Sequence, residues 1–73
     1  MSHSNFVICI DNSDFPVSLE RRKIYKVVSD EMAEKLDQIR VIDETGEDYL
    51  YPTSCFIDAQ LSKDVEAAVE KVA

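Results

Sequence analysis

The sequence predicts a mainly β domain, a small barrel of about five short strands with a C-terminal α-helix. Three observations point there. Short β-branched or aromatic runs recur along the first 57 residues, each bounded by turn-forming residues. Apolar residues fall into sustained helical spacing only from Leu61 onward. A chain of 73 residues can also enclose only one hydrophobic core. The alternative is an α+β arrangement, with two helices on a four-stranded antiparallel sheet, because residues 30–37 also carry a helical pattern.

Each element has its own signal. Phe6-Val7-Ile8-Cys9-Ile10 reads as a strand buried on both faces, and Asp11-Asn12-Ser13-Asp14 ends it with turn chemistry. Residues 11–22 form a long irregular stretch, since Pro16 opposes a regular element; Phe15 and Leu19 are expected to fold back over one end of the core. Lys23-Ile24-Tyr25-Lys26-Val27-Val28 is the second strand, with Tyr25 and Val27 on one face. Ser29-Asp30-Glu31 opens a turn or two of helix within residues 30–37, Ser29 supplying a hydroxyl cap.

Gln38-Ile39-Arg40-Val41-Ile42-Asp43 alternates as a third strand. Asp43-Glu44-Thr45-Gly46 then fits a type I turn, with Gly46, the sole glycine, supplying the positive φ that closes a hairpin. Asp48-Tyr49-Leu50-Tyr51 returns, Pro52-Thr53-Ser54 interrupts, and Cys55-Phe56-Ile57 makes a short last strand. Beyond it, Leu61, Val65, Val69 and Val72 form one apolar stripe behind a Ser62 N-cap. A helix this short needs to dock, either on its own barrel or on a second copy, which makes the stripe a candidate docking or dimer face. The domain layout is then a disordered terminus at 1–5, a barrel at 6–57 and an amphipathic helix at 58–73.

The strand order from residue 6 to residue 57 resembles the SH3-like small β-barrel. More narrowly, it is similar to short bacterial and phage proteins of that fold whose function is not established. The likeness rests on Val7-Ile8-Cys9-Ile10-Asp11-Asn12, on Leu19 with Lys23-Ile24-Tyr25-Lys26-Val27, and on Val41 through Gly46-Glu47-Asp48-Tyr49-Leu50-Tyr51-Pro52. It implies that the first and last strands are neighbours. Members of that group often place glycine before the second-strand lysine; this chain has Arg22 there, so the turn is expected to be built differently. Peptide-binding SH3 domains use a tryptophan-containing groove, and the chain has no tryptophan, which argues against binding of proline-rich peptides.

Composition narrows the function classes. Eight Lys and Arg against fifteen Asp and Glu give a net charge of −7, which disfavours general phosphate-backbone binding. The imbalance is local: residues 1–40 hold six cations and seven acids, residues 41–73 two cations and eight acids. No apolar run approaches the roughly 20 residues that span a bilayer, and the first residues lack the pattern of a signal peptide, so a cytoplasmic location is expected. One histidine removes the hydrolase triads, and one glycine removes a phosphate-binding loop. No catalytic residue, cofactor or metal site is therefore predicted.

The remaining candidates are surfaces. Cys9 and Cys55 fall on neighbouring strands if the resemblance holds; without a C-x-x-C pair, and with only His3 as a further soft ligand, they read as two small apolar core residues rather than a redox pair. Asp43, Glu44, Glu47 and Asp48 surround one turn, but Gly46 is fourth from Asp43, where a calcium loop requires sixth. These acids read as a solvated turn or a docking site for a basic partner. Phe15, Tyr49 and Tyr51 are candidate partner-binding aromatics; Tyr49 and Tyr51 lie two apart, so both are expected inward or both outward. Arg21, Arg22, Lys23 and Lys26 form the one basic patch.

The expected function is an acidic protein-interaction module without catalytic activity. Its partner is an unidentified protein, and self-association through the C-terminal helix is a further expectation. Two alternatives stand beside it: an acidic mimic of nucleic acid that inhibits a nucleic-acid-binding protein, and a weak nucleic-acid-binding barrel using the Arg21–Lys23 loop. Mimicry requires the carboxylates to be contiguous on one surface, whereas an interaction module should present an apolar groove.

Overall fold

The computed structural model describes residues 5–72. Its elements are β1 (Phe6–Cys9), β2 (Ile24–Val28), α1 (Glu31–Lys35), β3 (Gln38–Ile42), β4 (Asp48–Pro52), a single 3₁₀ turn (Thr53–Cys55), β5 (Phe56–Asp58) and α2 (Lys63–Val72). The five strands form one antiparallel sheet in the order β4-β3-β2-β1-β5. The fold is thus mainly β with a C-terminal helix, and the first and last strands pair.

Strand β2 changes neighbour along its length. Ile24, Tyr25 and Lys26 pair with β1, while Val27 and Val28 pair with β3. The sheet therefore turns at β2, and its inner face wraps a single core. Val7 and Cys9 of β1, Tyr25 of β2, Ile39 and Val41 of β3, Tyr51 of β4 and Phe56 of β5 meet there. Leu19, Cys55 and the half-buried Phe15 close it from the loops, so the 11–22 stretch folds back over the core as its apolar residues required.

Local chemistry shapes the connections. Gly46 takes φ +85° and its N–H donates to the Asp43 carbonyl at 3.0 Å, as the hairpin requires. Arg22 occupies the left-handed region at φ +74°, and its N–H donates to the Cys9 carbonyl at 2.7 Å. An arginine thus adopts the conformation that glycine would provide without steric cost. The expected Ser29 cap is corrected: Asp30 caps α1, its Oδ1 accepting the Ala33 N–H at 3.0 Å. A carboxylate there also faces the Arg40 guanidinium, an ion pair that a hydroxyl could not make. Of α1 only Ala33 is buried, and Met32 and Leu36 stand exposed.

Three boundaries shift. Asn5 is tied to the sheet, its carbonyl accepting the Val27 N–H at 2.9 Å, so it does not belong to a disordered terminus; residues 1–4 of that expected tail, and with them His3, lie outside the described residues. Cys55 stands in the 3₁₀ turn, not in the last strand, because Pro52 starts that turn. Asp58 extends β5 opposite Val7, so α2 begins later than residue 58. There Ser62 does cap it, with Oγ accepting the Val65 N–H at 3.2 Å.

Candidate functional site

The β3–β4 hairpin was expected to display four solvated carboxylates; Glu44, Glu47 and Asp48 are exposed, and the expectation is corrected at Asp43. Asp43 is buried: its Oδ1 accepts the Thr45 N–H and hydroxyl, and its Oδ2 accepts the Tyr51 hydroxyl. Glu44 receives the Lys23 ammonium and the Tyr25 hydroxyl, the latter at 2.6 Å. Asp48 pairs with Arg40, which also bridges to Asp30. Of these four, only Glu47 has neither an ion pair nor a buried carboxylate among the described residues. The other three lie within reach of donors from β2, β3, β4 and the turn itself, and pairing offsets the cost of desolvation.

The same contacts lock the 11–22 loop to the hairpin. The Glu44 N–H donates to the Ser18 carbonyl at 3.0 Å, Ser18 Oγ lies 2.9 Å from the Tyr51 hydroxyl, and the Tyr25 hydroxyl accepts the Glu20 N–H at 2.7 Å. Electrostatics follow the geometry. Burial works against ionisation of Asp43, but the donors from Thr45 and Tyr51 outweigh it and hold the carboxyl below its ordinary value. Lys23, then Tyr25, hold Glu44 down. Burial and the facing carboxylate push the Tyr25 phenol far up, and burial with Asp43 raises Tyr51.

The aromatic candidates separate. Tyr51 is buried at 4% exposure, whereas Tyr49, on the same face, is 50% exposed. The expectation that both share one environment is corrected. Alternation fixes the face, but Tyr49 sits toward the hairpin tip on an edge strand, where the core no longer covers that face. Phe15 packs edge-on against Tyr51 with ring centroids 4.9 Å apart, so it too belongs to the core. Of the three, Tyr49 alone is available to a partner.

The basic patch also divides. Lys23 is paired with Glu44 and Lys26 with Glu70 of α2, while Arg21 and Arg22 are exposed and make no ion pair among the described residues. Those two arginines, with Ile8, Cys9 and Ile10, line a shallow depression of about 370 Å³. Cys9 and Cys55 are both free, buried members of the core, and burial raises both thiols. No group of three or more potential metal ligands occurs among the described residues.

Sequence reasoning missed a groove of about 560 Å³ between α2, β2 and the hairpin. Phe6, Ile24, Ile42, Val69 and Val72 supply its apolar walls, and the Lys23–Glu44 and Lys26–Glu70 pairs stand at its rim. The stripe on α2 is therefore only partly docked: Leu61 and Val69 are half-buried, and Val65 and Val72 are exposed. The helix is tethered by Lys26–Glu70 and by Asn5 Nδ2 donating to Glu66 at 3.1 Å. The signal for the groove was Phe6, an aromatic on the outer face of β1 that must be covered by something.

Comparison with protein-family models, with curated proteins and with solved structures finds no match. No helix among the described residues is long and apolar enough to cross a membrane.

Proposed function

We propose that the chain is a small SH3-like barrel acting as a non-catalytic protein-interaction module, and that a basic amphipathic segment of its partner enters the groove beside α2. The groove carries this reading: its walls are apolar, and its two lips, the hairpin and α2, both belong to the acidic half of the chain. A segment with apolar side chains for the walls is complementary in shape, and Lys or Arg on it would be drawn by the net negative charge of the chain's second half, the lip carboxylates Glu44 and Glu70 being already held by Lys23 and Lys26. The pairing of β1 with β5 and the 3₁₀ turn between β4 and β5 support the barrel assignment. Mimicry of nucleic acid has less support, because Asp43, Glu44 and Asp48 are already engaged within the chain. A nucleic-acid-binding loop loses Lys23 and Lys26 to internal pairs.

The test is fluorescence anisotropy with a labelled amphipathic Leu/Lys peptide and its Leu/Glu counterpart, at about 150 mM salt to suppress diffuse attraction. The Leu/Lys peptide is expected to bind and the Leu/Glu peptide not to. Ile24→Glu and Val69→Glu should each weaken binding at least about tenfold, the effect of losing a buried anchor. Because these variants add negative charge, unchanged or tighter binding would mean mere charge attraction and would sink the groove assignment.

A further inference from the structure

Helix α2 is attached to the sheet without being built into it. None of its residues is buried: Val69 is half-buried, Val65 is 46% exposed and Val72 85%. It is anchored by Lys26 to Glu70 and by Asn5 Nδ2 to Glu66, and both contacts are exposed. An isolated helix of ten residues is marginal in water, so α2 keeps its shape only while docked. Few buried apolar groups and solvent-exposed bonds are the marks of a segment that opens on its own.

The joint before the helix fits such an opening. The Ala59 N–H donates to the Phe6 carbonyl at 3.1 Å, the last sheet bond among the described residues. One residue later the chain turns at Gln60, which takes the left-handed region at φ +53° while its N–H donates to Asp58 Oδ1 at 2.9 Å. Phe6 is buried but stands outside the core cluster and lines the groove with Val69 and Val72, so departure of α2 uncovers Phe6 and leaves that cluster closed. We infer that α2 is a hinged wall, which undocks and unfolds as one unit about residues 59–62 while the sheet and its core stay folded. Val69 and Val72 form part of the groove, so the groove exists only in the docked state. The regulatory consequence rests on the groove reading above: a segment that fills the groove holds α2 closed, because it binds the docked state alone.

Native-state amide exchange on the full chain, followed residue by residue by NMR, tests this. The amides of residues 67–72 are expected to share one degree of protection, at least about tenfold below that of Val7 and Val41. Urea below the unfolding midpoint should lower protection of the core strands steeply and that of α2 only slightly, since a small opening exposes little surface. The labelled Leu/Lys peptide at about ten times its Kd should raise protection of α2 about tenfold. Protection of α2 equal to that of Val7 and Val41, with the same urea dependence, overturns the inference. So does a peptide that binds by anisotropy and leaves exchange in α2 unchanged. A peptide that fails to bind sinks the groove reading alone, because the opening of α2 is measured in the free chain.

Discussion

The Tyr51 hydroxyl donates to Asp43 Oδ2 at 2.5 Å, joining the end of β4 to the residue that opens the β3–β4 hairpin. Both residues are buried, so the carboxylate is satisfied by protein donors and not by bulk water. Removing the phenolic hydroxyl leaves that acceptor short of a partner while the ring still packs against Phe15. Tyr51→Phe is expected to cost about 1.5–3 kcal/mol, the range for a hydrogen bond to a charged group. A double-mutant cycle with Asp43→Asn, followed by urea unfolding, should give a coupling of at least about 0.5 kcal/mol. Additive losses would mean that the two groups do not share the bond.

Stability should fall at both ends of the pH range, for opposite reasons. Asp43 and Glu44 are held below their ordinary values of 3.8 and 4.5 in the folded chain. Their contribution is complete above those values and is lost as pH falls through the lower folded ones. Tyr25 and Tyr51 are raised above 10.0, so their contribution is complete below pH 10.0 and is lost as pH rises through the folded values. Urea midpoints are expected to be flat near neutrality, to drop below pH 4.5 and to drop above pH 9.0, where the raised Cys9 and Cys55 thiols contribute first and the tyrosines follow above 10.0. Glu44→Gln should lower the neutral midpoint and flatten the acid limb; an unchanged acid limb in that variant counts against this assignment.

The thiols offer a separate probe of the core. Cys9 and Cys55 are buried beside one another in sequence register, Cys9 opposite Phe56, and burial raises both. Thiolate is the reacting species, so modification requires opening of the core. With Ellman's reagent at pH 8 the native chain should react at least about a hundredfold more slowly than the urea-unfolded chain. Fast labelling of either cysteine under native conditions would show that this end of the core opens locally.

The strands and the hairpin were legible because their signals are short-range: β-branched runs, a turn-forming Asp43 and a single glycine at the one position needing positive φ. The loop was legible in part: Leu19 is buried and Phe15 half-buried as their apolar side chains suggest, whereas Val17 between them is 89% exposed. The candidate site was much less legible. Whether Asp43 faces water or Tyr51 depends on where the 11–22 loop lands, and the spacing of residues does not encode that. Tyr49 and Tyr51 share a face but not an environment, because exposure depends on how far the core extends along an edge strand. The groove needed α2 to be placed over Phe6, a contact between the two ends of the chain.

Arg22 lies at φ +74°, a conformation that costs a side-chain-bearing residue about 1–2 kcal/mol relative to glycine. Its N–H bond to Cys9 is a backbone contact and survives substitution. Glycine loses more unfolded-state entropy on folding, which offsets part of the gain. Arg22→Gly is therefore expected to raise stability by about 0.5–1 kcal/mol, and Arg22→Val to lower it, since a β-branched side chain is least tolerated there. Chemical denaturation of both variants checks this. A destabilised glycine variant would place the importance of Arg22 in its guanidinium and not in its backbone.

Phe6 is only 2% exposed although it lies on the outer face of β1, away from the main core. Val69 and Val72 of α2 share its groove, and the Ala59 N–H donates to its carbonyl at 3.1 Å, so the chain's C-terminal part shields it. Phe6→Ala is expected to cost about 3 kcal/mol, as for a buried aromatic. Val65→Ser, at an exposed position of the same helix, should change stability by no more than about 0.5 kcal/mol. The Lys26–Glu70 tether is a surface pair, worth about 0–1 kcal/mol. Truncation after Gln60 uncovers Phe6, so in the truncated chain Phe6→Ala should cost much less than in the full one, the non-additivity expected of groups in contact. Thermal or urea unfolding of the four chains measures this directly. Equal costs in both backgrounds would mean that α2 does not cover Phe6, and that the burial of this residue is supplied by the strands alone.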